Sequence, residues 1–313
     1  MKELSSETAY SIMILNYNGE DFLERCVQHS LRAMERYSCP GEVLVVDNAS
    51  SDSSLKILTP YSDRLKLISM ESNKVLCAYN EAVKQARGDI IILLNNDEYI
   101  DEGFLEPLLS PFRNDPNLFL VVPKTVDEGT QTYQAGLLHL EFKKGHFWLK
   151  QEFSEQEKST PSQMNIGCLG AYRKEIFEEL EGFEPLFLPY YWEDADLAYR
   201  AAKSGWNIHF EPRAITEHLG QATISRFIPA KVRKINRRNK ILFFYLNATD
   251  PLLWLQHWLL FPFFLLRTIF IDRTLDYLQG WFWIIQKLPR ILEIRVKRTQ
   301  KFQKRDADLL NLK

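Results

Sequence analysis

Three apolar segments of this chain each end in a cluster of amide and carboxylate side chains. The segments are residues 11–15, 42–46 and 90–94, and the clusters that follow them are Asn-Tyr-Asn at 16–18, Asp-Asn-Ala-Ser at 47–50 and Asn-Asn-Asp at 95–97. Short apolar runs are typical of strands buried on both faces of a parallel sheet. One such cluster alone is equally compatible with a strand that runs into a solvated loop. Three of them predict a binding crevice, because the carboxyl ends of parallel strands meet at one edge of the sheet.

The side chains of these clusters suit a nucleotide diphosphate and a cation. Asp47 can bind a ribose or a base edge, and Tyr17 offers a ring face on which a base can stack. Asp97 is suited to a hard divalent cation that bridges a diphosphate. The chain has neither a G-x-G-x-x-G nor a G-x-x-x-x-G-K-[ST] motif, which argues against a common dinucleotide site or a P-loop.

Helical patterns separate the predicted strands. Apolar residues recur at helical spacing over residues 22–34 and, more briefly, over 55–58. A further strand is predicted at residues 65–68, followed by a helix over residues 76–87 that ends at Gly88. Strands that alternate with helices predict an α/β fold with a mostly parallel, doubly wound sheet.

A second acidic cluster, Glu193-Asp194-Ala195-Asp196, opens a predicted helix that runs through Lys203. Acids in a first helical turn often serve only the helix dipole and the N-cap. The same dipole favours an ionised carboxylate, which is what a general base requires. Tyr191 and Trp192, immediately before the helix, are candidate stacking faces for a sugar. His218 lies near the end of another apolar stretch. Its position is equally compatible with a structural role and with a functional one.

In this order and spacing, the motifs resemble the inverting nucleotide-sugar glycosyltransferases of family 2, which have the A-type fold. The closest likeness is to the rhamnosyltransferase-like branch of bacterial surface polysaccharide synthesis. The matching motifs are Asn-Tyr-Asn at 16–18, Asp-Asn-Ala-Ser-Ser-Asp at 47–52, Asn-Asn-Asp at 95–97 and Trp-Glu-Asp-Ala-Asp-Leu at 192–197. The resemblance covers roughly residues 9–225.

The resemblance implies a role for each matching residue. Asp194 would be the catalytic base, Glu193 would shape its surroundings, and Asp196 would cap the helix. The implied metal site pairs Asp97 with His218 and holds Mn²⁺ or Mg²⁺.

The implied nucleotide site consists of Tyr17, Asn18, Asp47, Lys74 and Asn96. Tyr191 and Trp192 would contact the sugar or the acceptor, and residues 165–173 would contact the donor sugar through their backbone. Lys74 would contact the diphosphate, but Val75 stands where the family commonly has glycine, so the loop over the phosphates departs from the pattern.

The C-terminal part of the chain differs from the rest in charge. Residues 231–313 contain 17 Lys and Arg but 6 Asp and Glu, a net charge of +11, whereas the remainder carries −13. Four of the seven tryptophans lie here, and residues 252–266 form an apolar run interrupted by three residues. The run is too short to span a membrane comfortably. It predicts either an amphipathic element in the membrane interface or a helical cap on the catalytic domain.

These patterns divide the chain into a catalytic domain at residues 1–225 and a basic, Trp-rich helical tail at residues 226–313. The expected partners are a UDP-, dTDP- or GDP-linked sugar, a glycan or polyprenyl-linked acceptor, and the inner membrane surface, with no nucleic acid. Residues 1–9 show no apolar signal segment, and the four cysteines form no C-x-x-C pair. We therefore expect a peripheral or monotopic protein on the cytoplasmic face of the membrane.

Two alternatives stay open at this point. One is a catalytically weak or silent relative that binds nucleotide sugars at the membrane. The other is a nucleotidyltransferase on a similar sheet, for which a Gly-rich phosphate loop after the first strand would be expected.

Overall fold

The computed structural model describes residues 10–135, 138–151, 170–219 and 229–310. Its strands are β1 (Tyr10–Asn16), β2 (Gly41–Asp47), β3 (Lys66–Ser69), β4 (Ile90–Asn95), β5 (Glu98–Ile100), β6 (Leu118–Asp127), β7 (Tyr133–Ala135), β8 (Leu138–Lys143), β9 (His146–Gln151), β10 (Gly170–Arg173) and β11 (Asn207–His218). Its α-helices are α1 (Leu23–Arg36), α2 (Ser54–Ile57), α3 (Tyr79–Ala82), α4 (Leu105–Leu109), α5 (Pro111–Asn114), α6 (Lys174–Glu179), α7 (Glu193–Lys203), α8 (Pro229–Asn247), α9 (Pro251–Phe270), α10 (Asp276–Thr299) and α11 (Asp306–Leu310).

In the described residues, nine strands form one sheet in the order β3-β2-β1-β4-β10-β6-β11-β5, with β7 paired to β6. Strand β1 pairs in parallel with β2 and β4, and β2 pairs in parallel with β3. The register aligns Asn16 with Asp47 and Leu15 with Asn95. The carboxyl ends of β1, β2 and β4 therefore lie side by side, which confirms the predicted α/β fold and its crevice edge.

The expectation of a mostly parallel sheet holds for β3, β2, β1 and β4. The remaining strands of the sheet form a mixture of parallel and antiparallel pairs. Strand β10 is antiparallel to both β4 and β6, and β5 is antiparallel to β11, whereas β6 and β11 are parallel. Gly170 opens β10 with a φ of +142°, and a Cβ there would lie 2.4 Å from the carbonyl oxygen of Val121. Glycine permits this close approach.

Two hydrophobic clusters cover the faces of the sheet. One contains the apolar stripe of α1, as predicted, together with α4 and α5. The other contains α3, α6, α7 and much of α8. Because α8 shares this second cluster with α7, part of the predicted tail packs directly on the catalytic region.

The predicted helix over residues 76–87 is wrong in form. Residues 75–85 make three consecutive short turns, with 3-10 turns at Val75–Ala78 and Val83–Gln85 on either side of α3. Tertiary packing overrides helical propensity here. Gly88 does not end a helix. It allows a close approach to β1, because a Cβ there would lie 2.5 Å from the backbone of Tyr10.

Helix α7 spans the predicted residues, but Asp196 does not cap it. Asp196 is fully buried and binds Arg200 at 2.8 Å, Arg298 of α10 at 2.8 Å and Asn247 of α8 at 2.7 Å. Burial alone would raise its pKa, yet the charges of Arg298 and Arg200 hold that pKa below its usual value. Asp196 therefore ties α7 to the C-terminal helices.

A second buried contact joins α7 to the end of the chain. Lys203 Nζ lies 2.7 Å from Asp306 Oδ1, and both side chains are fully buried. The same carboxylate accepts hydrogen bonds from Tyr199 at 2.6 Å and from the backbone of Asp250 at 2.8 Å. The boundary predicted after residue 225 lies outside the described residues.

Helices α9 and α10 present apolar side chains to solvent. The exposed residues recur at helical spacing, and in α9 they are Leu252, Leu255, Trp258, Leu259, Phe263, Leu266 and Phe270. In α10 they are Leu278, Phe282, Ile285, Leu288, Leu292 and Val296. We call these residues the apolar outer face. By length and composition, α9 is the one helix in the described ranges that could cross a membrane, which is weak evidence because soluble core helices can share those properties.

Candidate active site

Hydrogen bonds centred on Asn16 join the carboxyl ends of β1, β2 and β4. The amide nitrogen of this buried residue lies 3.0 Å from Asp47 Oδ1 and 3.1 Å from Ser50 Oγ, and its Oδ1 accepts from Asn96 Nδ2 at 2.8 Å. The structure thus brings two predicted nucleotide residues, Asp47 and Asn96, together. Sequence reasoning missed Asn16 and Ser50 as site residues, although both lie in the polar clusters that it identified.

The loop after β1 is fixed to the loop after β2. The backbone nitrogen of Asn18 donates to Ser50 Oγ at 2.9 Å, and Asn18 Oδ1 accepts from the backbone of Ser51 at 2.8 Å. Asn18 has a φ of +49°, a conformation that asparagine tolerates better than most residues. Tyr17, next to it, is 49% exposed, so its ring is available for stacking.

A third loop brings Lys74 to the same edge. Asn48, directly after β2, accepts from the backbone of Lys74 at 2.9 Å and donates to the carbonyl of Val75 at 3.1 Å. Val75 has a φ of +48°. This left-handed conformation accounts for the glycine expected at this position, since β-branched residues rarely adopt it. The ammonium of Lys74 pairs with Glu81 at 2.6 Å.

Asp97 and His218 lie together, as the resemblance implied. His218 Nε2 is 3.4 Å from Asp97 Oδ2, and His218 Nδ1 is 2.9 Å from Gln134 Oε1. With Nδ1 bound to Gln134, Nε2 faces the carboxylate, either as the N–H donor of a protonated imidazole or as a ligand atom that shares a cation with Asp97. This donor pair fits a divalent cation, with Gln134 orienting the imidazole. The described residues contain no group of three or more His, Cys, Asp or Glu arranged for a metal, so the protein would supply two ligands.

The acidic cluster occupies the N-terminus of α7, where the helix dipole favours negative charge. Burial, and then the neighbouring Asp194, raise the pKa of Glu193 to about 8, and one of its carboxylate oxygens has no hydrogen-bond partner among the described residues. Burial also raises the pKa of Asp194, whose Oδ1 accepts from the backbone of Ala195 at 2.7 Å. Both carboxyl groups thus have raised pKa values, and the pair takes up a proton more readily than two separate exposed carboxylates would.

The acidic cluster adjoins the loop that carries Lys74. Burial, and then the charge of Glu193, raise the pKa of Cys77 to about 12, and the thiol of Cys77 lies 3.8 Å from the carbonyl oxygen of Phe183. Asn80 also links the two regions, because it both donates to and accepts from the backbone of Phe183, at 2.8 and 2.9 Å. The chain that leads towards α7 is thus attached, at Phe183, to α3.

The two aromatic residues before α7 have different environments. Trp192 is 4% exposed, packs on Phe243 and donates its indole N–H to Asn236 at 2.9 Å. A ring this deeply buried has no free face, so the structure does not support a stacking role for Trp192. Tyr191 is half-buried and remains the candidate sugar contact. Residues 165–169 of the proposed donor-sugar segment lie outside the described residues.

The mixed α/β sheet, with its polar loops at the carboxyl ends of parallel strands, has the architecture of the A-type glycosyltransferase fold. The chain belongs to glycosyl transferase family 2, whose family model matches residues 11–181. The match ends before α7, so the acidic cluster lies beyond it.

Relatives agree with this class. The chain is 22% identical over 237 residues to dolichyl N-acetyl-α-D-glucosaminyl phosphate 3-β-D-2,3-diacetamido-2,3-dideoxy-β-D-glucuronosyltransferase of Methanococcus voltae, covering 70% of this chain and 69% of that protein. It is 32% identical over 114 residues to chondroitin synthase of Escherichia coli, covering 36% of this chain and 16% of that protein. The chain therefore spans most of the length of the first relative but a small part of the second.

Two solved structures share the fold. The crystal structure of Staphylococcus aureus TarS residues 1–349 in complex with UDP-GlcNAc has a TM-score of 0.58 and 16% identity, covering 96% of this chain and 89% of that chain. The crystal structure of GalNAc-T7 with UDP, GalNAc and Mn²⁺ has a TM-score of 0.59 and 17% identity, covering 79% of this chain and 49% of that chain.

Proposed function

We propose that this chain is an inverting, metal-assisted glycosyltransferase that moves a sugar from a nucleoside diphosphate to a hydroxyl acceptor. The observation that carries this proposal is the joining of three strand ends by Asn16 beside the Asp97–His218 pair. This edge offers hydrogen-bonding groups for a nucleoside and a place for a diphosphate-bound cation. Membership of family 2 supports the same reaction class.

In the proposed reaction, the acceptor hydroxyl attacks the anomeric carbon and the bond to the nucleoside diphosphate breaks. Asp194 takes the hydroxyl proton as attack develops. The raised pKa of Glu193 reduces the negative charge that it places beside the base. Asp97 and His218 would hold a divalent cation, which would supply positive charge to the departing diphosphate. A single displacement inverts the anomeric configuration.

We propose Asp194 as the residue without which transfer stops. Asp194→Asn should abolish sugar transfer and leave binding of UDP nearly unchanged, because the nucleotide groups lie at the ends of β1, β2 and β4. Glu175→Gln is a matched control, since Glu175 is likewise the second residue of a helix, α6. The assay is release of UDP from UDP-GlcNAc and other nucleotide sugars with Mn²⁺. Transfer by Asp194→Asn at a near-native rate would refute the base assignment.

For the substrates, the relatives suggest a surface glycan pathway. The donor class is a UDP-, dTDP- or GDP-linked hexose or deoxyhexose, and UDP-GlcNAc is the first probe because it occupies TarS. The acceptor class is a glycan or a polyprenyl-linked saccharide, in keeping with the dolichyl phosphate and poly(ribitol-phosphate) named for two relatives. A chain that binds these donors without turnover would instead be a silent relative.

The apolar outer face supports a position at the cytoplasmic surface of the membrane, with the protein peripheral or monotopic. Apolar side chains at helical spacing on α9 and α10 match an element that lies in the interface plane. Exposed basic residues on α8, among them Lys231, Arg233 and Lys234, add attraction to anionic head groups. A protein held there would meet a lipid-linked acceptor directly.

Flotation with vesicles of phosphatidylglycerol and phosphatidylcholine tests this position. The double variant Leu259→Glu/Phe282→Glu should lose most vesicle binding, because both side chains are more than 60% exposed on the apolar outer face. Leu67→Glu is the control, since Leu67 is 42% exposed on β3, away from this face. Wild-type protein that does not float at low salt would refute membrane association.

A further inference from the structure

Helix α8 binds the backbone of residues 187–192, the segment that leads into the acidic cluster. Asn239 Nδ2 lies 2.6 Å from the carbonyl oxygen of Phe187, 2.9 Å from that of Tyr190 and 2.8 Å from that of Tyr191. Asn239 is fully buried, and its Oδ1 accepts from Arg238 Nε at 2.9 Å. A single side-chain amide thus contacts three loop carbonyls and is itself oriented by its neighbour.

Two more residues of α8 contact the same segment. Arg238 donates through its guanidinium to the carbonyl of Leu188, and Asn236 Oδ1 accepts the indole N–H of Trp192 at 2.9 Å. The guanidinium of Arg238 lies over the ring of Trp283 on α10, 4.6 Å from its centroid. Backbone and side chain of the segment are therefore held from one side by one helix.

The segment needs this support because its last two residues have unusual backbone angles. Tyr191 has a φ of +73° and Trp192 a φ of +78°. Bulky residues rarely adopt the left-handed region, and such strain persists where the surroundings over-determine it. The hydrogen bond from Asn239 to the carbonyl of Tyr191 acts at the peptide between the two strained residues.

We propose that Asn239 is a positioning residue for sugar transfer: it fixes the left-handed turn at Tyr191 and Trp192 and thereby the place of Asp194. This inference rests on the proposed function and deepens it. Asp194 comes two residues after the turn, so a change in these backbone angles displaces its carboxylate. Asn239 lies outside the region matched by the family model and within the part that sequence reasoning assigned to a membrane tail.

The test separates positioning from stability. Asn239→Ala should lower kcat at least tenfold, because displacement of a catalytic group by about 1 Å can reduce rates by about 100-fold. The KM for the donor and the Kd for UDP with Mn²⁺ should stay within twofold, since Asn239 does not contact the nucleotide edge. Leu108→Ala is the stability control, because Leu108 of α4 is equally buried but belongs to the cluster on the other face of the sheet. Its kcat should stay within twofold even where its unfolding midpoint falls as far.

Two further variants decide the matter where Asn239→Ala does not fold. Arg238→Met keeps a long side chain against Trp283, removes the bonds to the loop and should lower kcat at least threefold. Asn239→Gln keeps the amide group and should retain more activity than Asn239→Ala. An unchanged kcat in Arg238→Met, or in a folded Asn239→Ala, overturns the positioning role. Failure of wild-type protein to bind UDP or turn over any nucleotide sugar would instead refute the proposed function.

Discussion

Replacement of Asp306 by asparagine should destabilise the whole catalytic region, although residue 306 lies far along the chain from α7. The variant leaves the ammonium of Lys203 fully buried without its ion-pair partner. It also places an NH₂ group among donors, because Asp306 accepts from Lys203, Tyr199 and the backbone of Thr249 and Asp250.

The expected size follows from the burial of the pair. Removing one partner of a buried ion pair costs about 3–5 kcal/mol of unfolding free energy. For chains of this size class, each kcal/mol shifts the melting temperature by about 2–4 °C, so a fall of roughly 10 °C is expected. Urea unfolding at 25 °C, followed by circular dichroism, measures the free energy directly.

The pH dependence has a defined sign. Burial would raise the pKa of Asp306, but the charge of Lys203 and several hydrogen bonds lower it overall. A carboxylate with a depressed folded-state pKa stabilises the protein above its unfolded pKa of about 3.9. The difference between wild type and Asp306→Asn should therefore shrink as the pH falls below about 4.

Two companions make this prediction sharp. Asp308→Asn is the control, because Asp308 is exposed and pairs with Arg305, and it should change stability by less than about 0.5 kcal/mol. The double variant Lys203→Met/Asp306→Leu should not recover the loss, because it leaves the hydroxyl of Tyr199 and the backbone N–H groups of Thr249 and Asp250 without their acceptor. An Asp306→Asn protein within about 1 kcal/mol of wild type would refute the reasoning.

Three further predictions concern the site. Glu193→Gln should reduce the decline in melting temperature between pH 4.5 and 8. The pKa of the Glu193 carboxyl is raised to about 8 in the folded protein, so its contribution to stability is lost as the pH rises towards that value. An unaltered decline would contradict the burial of this carboxyl group. Val75→Gly should change the free energy of unfolding by less than about 1 kcal/mol. Relief of about 1–2 kcal/mol of left-handed strain offsets the entropic cost of the more flexible glycine. The control Val83→Gly, at a buried position, should lose roughly 2 kcal/mol or more of unfolding free energy. His218→Ala should weaken Mn²⁺-dependent binding of UDP in calorimetry and leave metal-free binding unchanged; equal binding with and without the ion would exclude the metal role.

Much of the nucleotide side was predictable from the sequence, because its geometry follows from local rules. An apolar run that ends in polar residues predicts a buried strand, and parallel neighbours bring their carboxyl ends to one edge. Asp47 and Asn96 come together in this way, because both form hydrogen bonds with Asn16. Asp97 and His218, by contrast, were paired through the family resemblance, since nothing in the spacing of two residues so far apart indicates contact.

The rest depends on contacts between distant parts of the chain. No local pattern relates Asn239 to Tyr191, because the side chains of α8 meet that loop only through tertiary packing. The burial of Trp192 has the same origin, since α8 covers a ring that the sequence places beside acidic residues. Asp196 looks like a helix cap by position, yet its arginine partner Arg298 lies 102 residues away.

The attachment of α7 to residues 236–306 has a consequence for synthesis of the protein. As the chain leaves the ribosome, the acidic cluster emerges before α8, α10 and α11, which hold its loop and neutralise its buried charges. The strand ends that carry Asp47 and Asn96 are synthesised within the first hundred residues, whereas His218 and the helices that hold the turn at Tyr191 and Trp192 follow much later. The buried partners of α7, Arg298 and Asp306, are therefore available only after almost all of residues 1–306 have been synthesised.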